Sequence, residues 1–178
     1  MAIHVAFLRA VNLGRRKVPN AKLVEIAEAL GHEDVWTHIN SGNVVFDAKG
    51  SRASMETAFE AALEAEFGFE VTTFVRTAAE LRSVMSFQPF DVGSGDTYFV
   101  TFLKEAPTAA GRRKLEGLGD DFDTLKVKGP NVHWLMHGKS TDTTISTRQW
   151  EDVVGKKRST SRNTTALTKL LARIDERS

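Results

Sequence analysis

The chain has 178 residues, a formal net charge of +1, and 41% hydrophobic and 26% charged residues, which are the proportions of an ordinary globular protein. A net charge near zero provides no long-range attraction to nucleic acid or to anionic membranes, so any basic site must be local. The absence of cysteine excludes disulfides, thiol nucleophiles and cysteine-ligated zinc.

The first 76 residues alternate strand and helix patterns. An apolar run at 3–8 predicts a buried strand, and a loop rich in Arg, Lys and Asn follows it at 9–17. Apolar residues at i, i+3, i+4 and i+7 then predict a helix with Asn20 as its N-cap and Gly31 as its end. The remaining predicted elements are strands at 35–39 and 44–46, a helix at 54–67 and a strand at 69–75. The order is β-α-β-β-α-β.

The rest of the chain nearly repeats this order. Thr77-Ala78-Ala79-Glu80 has the spacing of a capping box, which predicts a helix there. The elements predicted after it are strands at 98–103, 125–127 and 132–137 and helices at 109–118, 149–154 and 163–174. Compared with the first block, the order β-α-β-β-α is short of one strand, which is either missing or not recognisable from its residue pattern. We therefore divide the chain into an N-terminal subdomain at 1–76 and a second α+β subdomain with a C-terminal helix at 77–178.

The β-α-β-β-α-β order is that of a ferredoxin-like plait. We predict an α+β protein of two ferredoxin-like subdomains, the second incomplete or variant. In this plait the third strand lies antiparallel between the first and the second, and the helices cover one face. The end of the first strand and the hairpin turn Asn40-Ser41-Gly42-Asn43 then fall at the same edge of the sheet.

Several segments resemble the bacterial domain-of-unknown-function family 1697. They are Phe7-Leu8-Arg9-Ala10-Val11-Asn12-Leu13-Gly14, Ile39-Asn40-Ser41-Gly42-Asn43-Val44-Val45-Phe46, and the pair Arg162-Asn163 near the C-terminus. The resemblance spans nearly the whole chain and implies two similar plait subdomains without a known reaction. The family pattern has a Trp directly after the Arg-Asn pair, where this chain has Thr164.

Motifs for metals and nucleotide cofactors are absent from the sequence. His133 and His137 lie on one face of a strand but roughly 13 Å apart, too far to share an ion. Gly138-Lys139-Ser140 resembles the end of a phosphate-binding loop, but the earlier glycine of that motif is missing. We expect no metal and no cofactor.

The candidate site is the edge where the first loop meets the hairpin. Arginine and amide side chains at such an edge suit a phosphate or a carboxylate. The candidate residues are Arg9, Asn12, Arg16, Ser41 and Asn43, joined by Arg162 and Asn163. A small anionic ligand is the expected partner. Nucleic acid has weaker support because the aromatic signature of plait RNA-binding modules is absent.

Three functions stay open at this point. The first is a non-enzymatic domain that binds a small anion at this edge. The second is an enzyme acting on an anionic small molecule, with Ser41 or His38 taking part. The third is an interaction protein in which the Asn and Arg side chains bind only backbone partners. The sequence predicts no membrane span and shows no signal-peptide pattern at Met1-Ala2-Ile3-His4-Val5, so we expect a cytoplasmic location.

Overall fold

The computed structural model describes residues 1–11, 14, 16–39 and 42–178. The chain divides into two compact units, Met1–Arg82 and Ser83–Ser178. Each unit contains a four-stranded sheet with helices, so the predicted α+β class with two ferredoxin-like subdomains is confirmed. The finer boundary between residues 76 and 77 stays a prediction.

The N-terminal unit has the full plait order. Its elements are β1 (Ala2–Leu8), α1 (Asn20–Ala29), β2 (Glu33–Thr37), β3 (Asn43–Ala48), α2 (Arg52–Phe67), β4 (Thr73–Thr77) and the start of α3 (Ala78–Ser86). The strands are antiparallel in the order β2-β3-β1-β4. The third strand therefore lies between the first and the second, as predicted.

Local chemistry sets the ends of the helices. The hydroxyl of Ser51 accepts from the Ser54 amide at 3.2 Å and starts α2, and Gly68, with φ of 76°, ends it. The hydroxyl of Thr77 accepts from the Glu80 amide at 3.0 Å, so the predicted start of α3 is confirmed. The prediction of Asn20 as an N-cap was wrong. The N-cap is Pro19, whose ring fixes its φ at −63°, and Asn20 is the first residue of the helix.

The core of the N-terminal unit lies between the sheet and the helices α1 and α2. Phe46 of β3 packs against Phe59 of α2 with ring centroids 5.3 Å apart, and both rings are almost fully buried. The imidazole of His32 stacks on the same Phe46 ring at 4.4 Å. Burial of this apolar area is the main source of stability for a sheet with one helix-covered face.

The C-terminal unit repeats the topology. Its elements are β5 (Thr97–Leu103), α4 (Ala109–Glu116), β6 (Asp123–Lys128), β7 (Asn131–Met136), a 3-10 turn (Ser140–Asp142), α5 (Thr147–Val154), β8 (Ser159–Asn163) and α6 (Thr164–Arg177). The antiparallel order β6-β7-β5-β8 matches that of the first sheet strand for strand.

The strand that the sequence pattern lacks is β8. Its residues Ser-Thr-Ser-Arg-Asn have no apolar alternation, so they do not look like a strand. The strand nevertheless pairs with β5, with Leu103 opposite Ser159, and the Thr101 and Ser161 hydroxyls lie 2.7 Å apart across the pair. The second unit thus contains all four strands, and the expectation that it is incomplete gives way to a variant of the same plait.

Candidate functional site

The candidate site lies where β1 ends and its two neighbours begin, and we call this end of the first sheet the N-terminal edge. Two hydrogen bonds fix it: the Leu8 amide donates to the Gly42 carbonyl at 2.8 Å, and the Arg9 amide donates to the Thr72 carbonyl at 2.9 Å. The hairpin and the α2–β4 connection are therefore both attached to the end of β1.

Gly42 allows the hairpin to approach this edge closely. A Cβ at this position would lie 2.6 Å from Cγ2 of Val11 and 2.9 Å from Cβ of Leu8, and its φ of +74° also favours glycine. The backbone of the hairpin at Gly42 is thus packed directly on the side chains of Leu8 and Val11. The sequence places a glycine here for two separate reasons.

Arg9 and Arg16 contact the same short connection, residues 68–72. The backbone of Arg9 is bonded to Thr72, and the guanidinium carbon of Arg16 lies 4.9 Å from the centre of the Phe69 ring. Both arginines are half-buried. Among the residues that the structure describes, neither guanidinium forms an ion pair. Exposed Glu70 adds one carboxylate to the same connection.

Asn43 has a structural contact at this edge. Its side chain is only 3% exposed, and its amide nitrogen donates to the His38 carbonyl at 2.9 Å. The His38 amide in turn donates to the Asn43 carbonyl at 3.0 Å. Asn43 therefore clamps the two ends of the hairpin turn, a role the sequence alone does not distinguish from ligand binding.

Arg162 and Asn163 lie in β8 of the C-terminal unit. The guanidinium of Arg162 donates to the Thr160 hydroxyl at 2.8 Å and to the Ser161 carbonyl at 2.9 Å. Burial lowers the pKa of Arg162 to about 10, which still leaves it charged at neutral pH. The side chain of Asn163 accepts from the Thr165 amide at 2.8 Å and caps α6.

Asn12 and Ser41, the two remaining candidate residues, lie outside the described residues. The predicted approach of Ser41 to Arg9 or Asn12, and the proposed part of Ser41 in catalysis, therefore stay predictions.

Sequence analysis missed a buried arginine in the N-terminal unit. Arg76 of β4 is fully buried, and its guanidinium donates to the Val75 carbonyl at 2.9 Å. Burial lowers its pKa to about 10, against the opposing attraction of Glu56 and Glu80. Arg76 and Arg162 both occupy the fourth position of their strands. Aligning β4 with β8 would have found the pair, but β8 has no strand pattern of its own.

A second missed feature is a buried pair in the C-terminal unit. The Tyr98 hydroxyl lies 2.6 Å from Nδ1 of His133, which is only 1% exposed. Burial, reinforced by Lys128, lowers the pKa of His133 to about 4, and burial raises the pKa of Tyr98 to about 12. Both groups are neutral at physiological pH.

Within the described ranges no group of three or more His, Asp or Glu side chains is arranged to hold a metal ion. Over the same residues, no helix combines the length and the apolar character that crossing a bilayer requires.

Two successive ferredoxin-like units with a polar edge define the class of this molecule as a tandem α+β plait. The chain belongs to the family described as "Protein of unknown function (DUF1697)", whose model matches residues 1–133. Its fold is similar to that of the conserved bacterial protein SP0830 from Streptococcus pneumoniae, with a TM-score of 0.76 and 18% identity over 98% of this chain and 99% of that one. No curated protein matches the sequence.

Proposed function

We propose that the protein is a non-enzymatic domain that binds a small phosphate- or carboxylate-bearing ligand at the N-terminal edge. One observation carries the proposal: Arg9 and Arg16 both contact the connection at 68–72, and neither forms an ion pair with a described residue. Two half-buried arginines held against one short segment, Arg9 by its backbone amide and Arg16 by its guanidinium, can bind an anion with charge-assisted hydrogen bonds.

The packing of this edge supports a preformed site. Gly42 leaves no space between the hairpin and the loop after β1, and the Asn43 amide clamps the hairpin turn. A rigid frame lowers the entropy cost of ordering side chains around a ligand. In this proposal Asn43 shapes the site, and Arg9 and Arg16 supply the charge. Asn12 and Ser41 remain proposed ligand contacts.

The test is a titration of the wild type and of an Arg9→Ala/Arg16→Ala variant with inorganic phosphate, nucleotides and short single-stranded RNA at two salt concentrations. We expect the double variant to lose at least about tenfold in affinity, because each charged hydrogen bond contributes on the order of 1.5–3 kcal/mol. For RNA the salt slope should be shallow, on the order of 0.7–0.9 per phosphate contact.

The matched control is Arg113→Ala/Arg148→Ala, which removes the same charge from two exposed arginines of the other unit. Equal loss of binding in the control and the test variant would show that the loss comes from the change in net charge and not from Arg9 and Arg16. Absence of binding by the wild type to any of these anions would refute the proposal.

A second candidate function has its own support. Asn43, Arg162 and Asn163 all direct side-chain hydrogen bonds to backbone or hydroxyl groups of their own unit. This is the pattern expected of an interaction protein whose motif residues maintain the fold. In that case neither the wild type nor any variant would bind these anions, and the protein would instead bind a partner. The cytoplasmic location stays a prediction.

A further inference from the structure

The C-terminal unit has its own version of the N-terminal edge. The Leu103 amide donates to the Pro130 carbonyl at 2.8 Å, as the Leu8 amide donates to Gly42 at 2.8 Å. The strands also share a sequence, Val-x-Phe-Leu followed by a basic residue, at 5–9 and at 100–104. Lys104 thus occupies the position of Arg9. The β5–α4 loop and the α5–β8 turn correspond to the β1–α1 loop and the α2–β4 connection of the first unit.

A cavity of about 360 Å³ lies between this loop and this turn. Its floor is apolar: the side chains of Leu103 and Leu115 are buried, and Val153 and Val154 are half-buried. A volume of this size is at the low end of the range of about 300–1,000 Å³ typical of small-molecule sites. The floor offers contact to an aliphatic group and no hydrogen bonds from these four side chains.

The rim of the cavity is charged and positive on balance. Lys104, Glu105 and Arg158 line it, and Nη2 of Arg158 lies 3.1 Å from a carboxylate oxygen of Glu105. This pair is exposed, with 47% of the Arg158 and 79% of the Glu105 side chain accessible, so exchanging one carboxylate for another costs little.

The turn at 155–158 holds Arg158 in place. Gly155 has a φ of +95°, and a Cβ there would lie 3.0 Å from Cδ of Arg158, so the stem of the arginine packs directly on the glycine backbone. Lys157 also has a positive φ, of 58°. The stem of Arg158 is therefore held at the mouth of the cavity by its own turn.

From this arrangement we propose a second site, in which the cavity binds a small aliphatic carboxylate. The alkyl chain lies on Leu103, Leu115, Val153 and Val154, and the carboxylate binds the guanidinium of Arg158 with Lys104 on the same rim. A bare phosphate would leave the apolar floor uncovered, and an amine would face two cations and one carboxylate. The inference does not depend on Arg9 or Arg16.

The experiment is an NMR titration of the full chain with 4-methylpentanoate. We expect amide shifts concentrated at Gly111, Leu115, Val153 and Val154. Arg158→Ala should weaken binding about tenfold or more, because a charged hydrogen bond is lost. Val154→Phe should block the cavity while retaining all three rim charges. The matched control Arg148→Ala changes the same charge away from the cavity and should leave affinity unchanged.

Analogues of the same chain length test the chemical class. The alcohol 4-methylpentan-1-ol should bind more weakly than the acid, because it has no charge for Arg158. Equal affinity for the alcohol, tighter binding of leucine than of the plain acid, or undiminished binding by Arg158→Ala would each overturn the assignment. So would an absence of shifts at the four amides up to about 10 mM, a concentration at which even a weak millimolar site is occupied.

The two sites fail separately. Arg9→Ala/Arg16→Ala should leave 4-methylpentanoate binding intact, and Arg158→Ala should leave phosphate or nucleotide binding at the N-terminal edge intact. Loss of both activities in either variant would show that the chosen substitution disturbs the fold, which the dispersion of the NMR spectrum reports directly. Val154→Phe, which changes no charge, then decides the question for the cavity.

Discussion

The two units have the same topology but hold equivalent positions with different chemistry. The edge of the first is closed, because Gly42 packs against Leu8 and Val11 and leaves no room for a Cβ. In the second unit Pro130 holds the position of Gly42, because its carbonyl accepts from the Leu103 amide, and nothing lies within 4 Å of where a Cβ of the preceding Gly129 would be. The same plait thus accepts either a glycine or a proline where the hairpin meets the end of its first strand.

The last strands differ in the same way. β4 is buried from Thr73 to Arg76, whereas β8 is polar, with Thr160 buried, Ser161 exposed and its other residues half-buried. Yet both strands keep an arginine at the fourth position that donates to the preceding carbonyl at 2.9 Å. The arginine–carbonyl contact is therefore common to both plaits, whereas burial of the neighbouring residues in the last strand is found only in the first.

The largest expected difference between the units concerns these arginines. Arg76→Ala should destabilise the protein by about 3–5 kcal/mol, because it removes a fully buried side chain together with its hydrogen bond to the Val75 carbonyl and its attraction to Glu56. Arg162→Ala should cost less, about 1.5–3 kcal/mol, because the half-buried side chain loses the hydrogen bonds that its charged guanidinium donates to Thr160 and Ser161. Urea unfolding of both variants measures this. Equal costs would contradict the comparison.

Acid should act on buried histidines in both units. The pKa of His133 is about 4 in the native protein and near 6.5 in the unfolded chain. Below pH 6.5 the unfolded chain therefore binds a proton that the native protein does not. Stability is therefore complete above pH 6.5 and falls as the pH decreases toward 4. His133 alone should account for about 2 kcal/mol lost between pH 7 and pH 5.

In the N-terminal unit, burial also lowers the pKa of His32, with a smaller contribution from His4, so its effect has the same sign. Unfolding of His133→Gln at pH 7 and pH 5 should therefore show a reduced, but not abolished, dependence on pH. The control is His137→Gln, which changes a half-exposed imidazole in the same unit. An unaltered pH dependence in His133→Gln would rule out the burial argument.

The smallest expected difference between the units concerns the hairpin glycines. Gly42→Ala should cost about 2–3 kcal/mol, since a strained φ adds to a clash with Leu8 and Val11. Gly129→Ala, with φ of +59° and open space, should cost about 1 kcal/mol from the backbone alone. Thermal unfolding of the two variants measures the difference, which is the contribution of close packing. Equal destabilisation by Gly129→Ala and Gly42→Ala would show that close packing at Gly42 contributes nothing to this difference.

Sequence patterns predicted most of the fold because they are local. The apolar run of β3 and the helical spacing along α2 do not depend on distant residues, and the cap at Thr77 satisfies an amide within the same turn. The shared edge of β1 and the hairpin followed from the plait order. For the same reason Arg9 and Gly42 could be assigned to one edge before any coordinates were known.

Features that depend on partners distant in sequence could not be predicted. β8 is a strand only because β5 supplies its hydrogen bonds, and Ser-Thr-Ser-Arg-Asn shows no period of its own. The burial of Arg76 and the pairing of Tyr98 with His133 depend on groups brought together by the fold.

The sequence by itself therefore determined the order of elements other than β8, the two-plait fold and the meeting of β1 with the hairpin at one edge. Tertiary structure alone decided that Asn43 clamps a turn, that Arg16 lies over Phe69 and that Arg158 sits at the mouth of an apolar cavity. The physical reason is that backbone periodicity is encoded within a few residues. The partner of a polar side chain, by contrast, is set by segments that meet only after the chain has folded.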